Sequence, residues 1–590
     1  MAKNTKKNVG AIFGKTGVTF RVWAPFASNV AVTGSFNGWS QAPMAAEADG
    51  HWSTFVRGAR AGQEYQFVIQ NGKDTFYRND PRARHFPTTA GSSVIVDPWF
   101  DWGDDAFTPP PVEQQVIYEI HVGTFYRPDL AITGTFYDVC DKLDYLADLG
   151  VNMIELMPIS TMLMDRGWGY AIDYIFAVES LYGGRRGFLQ FVKAAHQRGI
   201  GVILDVVYNH FGPDSEMDLW QFDGWHDGDM GGIYFYNDWR AATPWGNTRP
   251  DFGRAEVQQY ILDNVAMWMH ECRVDGLRVD STIYIRNVHG SNNDPANDLP
   301  EGWQLLQNIN GIAKKINPHA ITIGEDVADN EYIVKAAGEG GAGFSAQWEL
   351  GFPYALREAL HSDDPAQINL TGICGELTRR YNGDVFSRIV FTNSHDSASN
   401  GSARMNEQLS PGKSDNTFAR SQSLLAATLT LTAPGVPMLF QGEEFMQPGS
   451  FNDWEGLDWR RTEAFAGIVD AYQHLVALRK NSGGVSAGLS GQGMNLMHVD
   501  EMNKVIAYHR WNAGGPHDDV VVLINFSKQQ CNDYVLSFPG NGVWKVRFNS
   551  SWHGYSTDFR NVAVPDVLVE NGGGTVVVPA GTALVFSQDS

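Results

Sequence analysis

Cysteine is scarce in this 590-residue chain. Its four cysteines, Cys140, Cys272, Cys374 and Cys531, lie far apart and show no C-x-x-C spacing. Neither a disulfide framework nor a zinc site is therefore indicated. Long apolar runs are also missing. No stretch approaches the roughly 18 apolar residues of a membrane span. The basic start "MAKNTKKNVGAIFGKTG" lacks the central apolar run of a signal peptide, and the expectation is a cytoplasmic protein. Positive charge is in deficit, with 44 Lys and Arg against 67 Asp and Glu and a net charge of −23. That balance argues against a nucleic-acid backbone or an anionic membrane as partner. No Gly-rich phosphate loop, tandem repeat or low-complexity tract is visible.

What is present is a soluble globular composition, 43% hydrophobic and 19% charged, in a chain too long for one core. Three zones separate by pattern. Residues 1–105 read as short strands with turn signals, among them "VTFRVWAP", "NVAVTGSF", "HWSTFVRG", "EYQFVIQNG" and "SSVIVD", which predicts a small β-sandwich. The proline run in "FTPPPVEQQ" marks a linker. Residues 112–485 alternate short apolar strands with amphipathic helices such as "GFLQFVKAAHQRG" and "AEVQQYILDNVAMWMHEC". The eight candidate strands are "VIYEIHVGTF", "VNMIELMPI", "GVILDVVYNH", "VDGLRVD", "AITIGEDV", "AQWELGF", "RIVFTNSHD" and "VPMLFQGEE". Near-continuous apolar strands alternating with helices predict a parallel sheet covered on both faces, and eight of them fit a (β/α)8 TIM barrel. The long aromatic, Gly/Asp/Asn-rich stretch 211–253 reads as an inserted subdomain after strand 3. Residues 490–590 return to strands, as in "KVIAYHRW" and "DVVVLINFS", and predict a closing all-β sandwich.

In such barrels the active site lies at the C-terminal ends of the strands. Those ends carry Asp205, Asn209 and His210 on strand 3, Arg278 and Asp280 on strand 4, Glu325 on strand 5, and His395 and Asp396 on strand 7. An isolated R-x-D such as Arg278–Asp280 is ordinarily just an ion pair. Carboxyls ending three strands are another matter, because like charges facing one cavity repel and desolvation raises their pKa values. Such an arrangement suits glycoside hydrolysis, in which one carboxyl serves as acid and a second as nucleophile or base. Arg278 favours the charged form of Asp280, as a nucleophile needs. Glu325, with no cation near it in sequence, can carry a raised pKa and donate a proton. Asp396 can hold sugar hydroxyls as positive charge develops on the ring.

"DVVYNH", "GLRVD", "GED" and "NSHD", in that order, resemble the four conserved regions of the family 13 glycoside hydrolases, the α-amylase family. The resemblance implies Asp280 as nucleophile, Glu325 as acid/base and Asp396 as transition-state stabiliser. It also implies sugar contacts from Arg278, His210 and His395, alongside Asp205 and Asn209, and stacking of a sugar ring on Tyr170 of "RGWGYAIDY". "FRVWAPFASNVAVTGSFNGW" is similar to the family 48 carbohydrate-binding module, with Trp23, Trp39 and Trp52 as its aromatic markers. One departure is Ser397, where the common pattern has an acidic residue. The implied activity is retaining cleavage of α-1,4 bonds in starch- or glycogen-type glucans or malto-oligosaccharides, by an enzyme of branching or amylase type. Release of trehalose from a capped malto-oligosaccharide is the alternative, and a non-catalytic glucan-binding protein a remote one. The chemistry calls for no cofactor, and no clustered metal-ligand set stands out.

Overall fold

Eight short apolar segments close into a parallel barrel in the computed structural model, which describes residues 8–88, 91–162, 167–213, 217–361 and 367–589. Arg166 of "RGWGYAIDY", the basic residues 1–7 and positions 214–216 of the inserted stretch lie outside the described residues. The barrel strands are β1 (Ile117–Ile120), β2 (Met153–Leu156), β3 (Gly201–Val206), β4 (Gly276–Val279), β5 (Ile321–Glu325), β6 (Ala346–Trp348), β7 (Arg388–Phe391) and β8 (Val436–Phe440). They pair in chain order, and β8 returns to β1. The shortest, β6, keeps only three residues of "AQWELGF", because a helix (Gly351–Leu360) already begins at Gly351.

Alternation along each strand explains how one barrel holds both a core and a site. Residues two apart share a face, and the inward face changes character toward the C-terminal end. Ile117 is followed by Glu119, Met153 by Glu155, Ile203 by Asp205 and Ile323 by Glu325. The lower members join Ile321, Trp348, Ile389, Phe391, Val436 and Met438 in one buried apolar cluster. Above that floor, charged side chains meet each other instead of water. Helices cover the outside. The amphipathic helix Gly184–His196 packs by its apolar stripe, and the helix Ala255–Ala266 ends in a π-helical turn, Met267–Glu271, where an unbroken helix was expected. The helix Pro300–Ile316 comes so close to the segment after β4 that a Cβ on Gly302 would sit 1.8 Å from the Ile285 carbonyl oxygen.

The N-terminal zone is two facing antiparallel sheets, built around Gly17–Trp23 with His51–Arg57 and around Asn29–Gly34 with Glu64–Asn71. Val18, Phe20 and Val22 alternate into its core. The C-terminal zone is a six-stranded sheet with a two-stranded companion. It includes three strands that the sequence reading leaves out, Gly493–Asp500, Cys531–Ser537 and Val567–Val569. It docks on the helix Thr417–Thr432 through the buried Arg510, which donates to the carbonyls of Thr432, Leu489 and Gly491.

The inserted stretch after β3 has little regular structure among its described residues, a 3-10 turn at Trp239–Ala241 and isolated bridges. Its order comes from burial and from the N-terminal domain. Phe222, Ile233, Tyr234 and Phe235 join the main core. Arg78 donates to the carbonyls of Trp220, Gln221 and Phe222, and Asp223 accepts from the Phe26 amide at 2.9 Å. Phe26 also stacks on Trp225 at 4.7 Å. Hydrogen bonds from a charged donor contribute about 1.5–3 kcal/mol. Arg78→Ala is therefore expected to lower the stability of this junction by about 2 kcal/mol, read as an earlier tryptophan-fluorescence transition in urea. Arg78→Lys, which cannot span three carbonyls, should recover only part of it.

Candidate active site

The ends of β3, β4 and β5 converge on one guanidinium. Asp205 and Arg278 are register partners on β3 and β4. Nη1 of Arg278 reaches Asp205 at 2.8 and 2.9 Å and Asp280 Oδ1 at 2.7 Å. Its Nη2 lies 3.0 Å from Glu325 Oε2, an ion contact without hydrogen-bond alignment. Trp348 of β6 lies 4.7 Å from the guanidinium and covers its face. Arg278 is wholly buried. A buried charge costs several kcal/mol unless it is paired, and here carboxyls from three strands surround it, two of them hydrogen-bonded to it.

The backbone continues the design past the strand ends. The Asp280 amide still donates to Val206 O at 2.9 Å, extending the ladder by one residue. Ser281 then turns into the left-handed region at φ 44°, a conformation that non-glycine residues seldom adopt. The turn brings its amide to Glu325 Oε2 at 2.7 Å and starts the short helix Thr282–Arg286. Asn209 approaches Asp280 from the other side, donating to Oδ2 at 2.6 Å, and its own oxygen meets His210 Nδ1 at 2.5 Å.

A second arm comes from β1, β2 and β7. His395 donates from Nε2 to the Tyr170 hydroxyl at 2.9 Å, and that hydroxyl donates to Asp205 Oδ2 at 2.7 Å. On its far side His395 Nδ1 meets Glu119 Oε1 at 2.5 Å, and its amide donates to Glu119 Oε2 at 3.1 Å. Tyr170 and His395 are stacked at 5.3 Å. Asp396, the most open of the carboxyls, stands 3.4 Å from His395 Nε2. A continuous chain of contacts thus runs from Glu119 to Glu325 through His395, Tyr170, Asp205 and Arg278.

Charge crowding in this low-dielectric pocket separates the proton affinities. Burial pushes the Glu325 carboxyl up to about 8, with Asp280 and Asp396 adding to it and Arg278 opposing. Burial raises Asp205 to about 6 against the same arginine. His395 goes up to about 10, because Asp396 and Glu119 outweigh a burial that works against its charge. His210, buried without so strong a counter-charge, falls to about 4. At neutral pH, Glu325 is therefore an acid with its proton on, His395 an imidazolium and His210 a neutral imidazole.

All nine residues expected from sequence, Asp205, Asn209, His210, Arg278, Asp280, Glu325, His395, Asp396 and Tyr170, fall in this one network. The sequence reading missed Glu119, Glu155 and Trp348. Glu155 is buried beside Glu119, its Oε2 without a hydrogen-bond partner, and burial holds its carboxyl well above the usual range. A glutamate third in each of the buried strands "IYEI" and "MIEL" was the available signal. Among the described residues no group of three His, Cys, Asp or Glu side chains is arranged to hold a metal ion.

Fold and site together are those of a barrel protein of the carbohydrate-active class, with carboxyls gathered at its strand ends. Comparison with known proteins names the family. The α-amylase catalytic-domain model matches residues 119–220 and 224–481. Carbohydrate-binding module 48, the isoamylase N-terminal domain, matches 8–99, and the α-amylase C-terminal all-β domain matches 496–589. The chain belongs to the α-amylase family, the family 13 glycoside hydrolases. Among its relatives, the 1,4-alpha-glucan branching enzyme GlgB of Corynebacterium efficiens is 30% identical, over 91% of this chain and 75% of that protein. The GlgB of Oceanobacillus iheyensis is 29% identical, over 91% and 86%. Pullulanase type I of Bacillus subtilis shares the fold at a TM-score of 0.78, with 20% identity over 99% of this chain and 86% of that one.

The Glu119–His395 contact gives a direct test. A histidine whose folded pKa is raised contributes stability that is complete below its unfolded value of about 6.5 and lost as pH rises through about 10. In Glu119→Gln the imidazolium loses that partner. Side-chain NMR should then show His395 deprotonating well below 10, and the stability lost on raising pH, which begins near the unfolded value in both proteins, should be smaller and complete at a lower pH.

Proposed function

We propose that the protein is a 1,4-alpha-glucan branching enzyme, which cleaves an α-1,4 bond through a covalent glycosyl-enzyme and passes the chain to a glucan 6-hydroxyl. The observation that carries the mechanism is the single guanidinium shared by Asp280 and Glu325. It holds the two carboxyls close, which fits the ~5–5.5 Å separation of a retaining pair better than the wider gap of an inverting one. The choice of transfer over plain hydrolysis is supported by the branching-enzyme relatives.

In the first half-reaction a carboxylate oxygen of Asp280, oriented by Arg278 and Asn209, attacks the anomeric carbon. Glu325 gives its proton to the departing glycosidic oxygen, and the C1–O4 bond breaks. Positive charge developing on the ring faces Asp396, while the sugar lies on Tyr170, whose ring His395 and Asp205 fix in place. In the second half-reaction the acceptor hydroxyl gives its proton to Glu325 and attacks the same carbon, breaking the ester to Asp280. Two displacements restore the original anomeric configuration.

The direct experiment is incubation with amylose, following iodine staining, reducing ends and α-1,6 linkages by NMR. Branches without a matching rise in reducing ends are expected; reducing ends without branches would make it an amylase, and an inverted anomer would reject the nucleophile. Asp280→Asn should lose on the order of a thousandfold or more in kcat. Because Glu325 must start protonated, kcat/KM should fall as pH rises through about 8. A flat profile from pH 7 to 9 would remove Glu325 from the acid role.

A further inference from the structure

Beside β4 the structure holds an aromatic corner that the proposed chemistry has not used. Trp245, on the inserted stretch, stacks on the His210 imidazole at 4.6 Å and 17°. It meets Tyr284 edge-on at 5.3 Å. Tyr284 lies on the short helix that starts right after Asp280, and its ring is fixed by Gly290, where an added Cβ would lie 2.7 Å from it. Trp245 is nonetheless 47% exposed. A tight turn presents it, with the Trp245 amide donating to Thr243 Oγ1 at 3.2 Å and Thr243 Oγ1 donating to Gly246 O at 2.9 Å.

One buried side chain builds this corner. Arg249 has no exposure and donates only to backbone carbonyls. Those of Arg240 and Ala242 belong to the inserted stretch, and those of Tyr284 and Val288 to the segment after β4. A guanidinium has five donors in a rigid fork, and here that fork sews the two aromatic-bearing loops together. Burial lowers its pKa to about 10, still charged at neutral pH. So much buried order beneath a half-exposed tryptophan is hard to account for by core packing.

We infer that Trp245, backed by Tyr284, is the platform on which the acceptor glucan lies, and so a residue that sets the choice between a sugar hydroxyl and water. The inference rests on the branching reading. Its side of the cleft follows from the chemistry. The leaving chain departs on the side of the acid, and Glu325 is pinned by the Ser281 amide at the start of the Tyr284 helix. The donor sugar's side is walled by Tyr170, His395 and Trp168. An acceptor glucose laid against the indole holds its 6-hydroxyl toward C1 of the glycosyl-enzyme. That oxygen forms the new C1–O6 bond, its proton passes to Glu325, and the Asp280 ester bond breaks.

Transfer and hydrolysis share one intermediate, so their ratio does not depend on how fast that intermediate forms. The test is the number of α-1,6 linkages per reducing end released from amylose by the full-length protein. Trp245→Ala should lower this ratio about three- to tenfold, the worth of one aromatic stacking contact, while Trp245→Tyr should keep most of it. An unchanged ratio in Trp245→Ala, with both products still made, overturns the platform and leaves the branching reading intact. A wild-type protein that forms no branches overturns the branching reading and, with it, the acceptor site. Should Trp245→Ala fail to fold, Trp245→Leu, which keeps the bulk and loses the flat face, must show the same drop.

Discussion

Everything at the strand ends depends on Arg278. Asp205, Asp280 and Glu325 come from three neighbouring strands, and without a cation among them their mutual repulsion would spread those ends or leave them protonated. The guanidinium can reach all three only because β4 lies between β3 and β5 in register. Closure of the barrel is thus a condition of the site, and the site's charge balance in turn constrains the barrel. Trp348 completes the arrangement from β6, where a wide flat ring covers one face of the buried fork and keeps water from it. Water excluded there is what lets one positive charge act strongly on three carboxyls.

The outer domains take part in this constraint. The inserted stretch has too little regular structure to hold its own shape, and two arginines do that work from opposite sides. Arg78 fastens its early part to the N-terminal sheets, and Arg249 fastens its later part to the segment following Asp280. His210, at the end of β3, lies where the stretch begins, and Trp245 folds back over it. The N-terminal domain thus holds the early part of the same stretch whose later part folds over His210.

Much of this was legible in the sequence because parallel barrel strands are buried on both faces and read as apolar blocks, while their ends carry the chemistry. "GLRVD" shows the logic at its smallest. A two-residue period puts Arg278 and Asp280 on one face, and the structure adds only that Asp205 and Glu325 share the arginine. Glu119 and Glu155 escaped for the same reason that the strands were found. A block such as "IYEI" is read by its apolar majority, and the lone acid inside it passes unexamined. In a barrel, however, such an acid has nowhere to point but inward or into the helix layer, and either place requires a partner. The strands Gly493–Asp500 and Cys531–Ser537 were missed on physical grounds, since most of their side chains are half-buried or exposed. With so little burial, neither strand shows a clear period of two. The π-turn at Met267–Glu271 depends on a shift of backbone hydrogen bonds that no side-chain pattern announces.

In the mechanism we propose, the same crowding that raises Glu325 lets one carboxyl serve both halves of the reaction. Its affinity for the proton is increased by burial and by the negative charges of Asp280 and Asp396. Once Asp280 is esterified to sugar, its charge is gone, while Arg278 remains 3.0 Å away. The balance at Glu325 then tips toward the anion, which is the form needed to take a proton from the acceptor. When the ester breaks, the charge returns to Asp280 and the proton is again held on Glu325. No movement of the backbone is needed for this alternation. In this proposal it follows from placing Asp280 and Glu325 on the same guanidinium, so that the covalent state of one sets the proton affinity of the other.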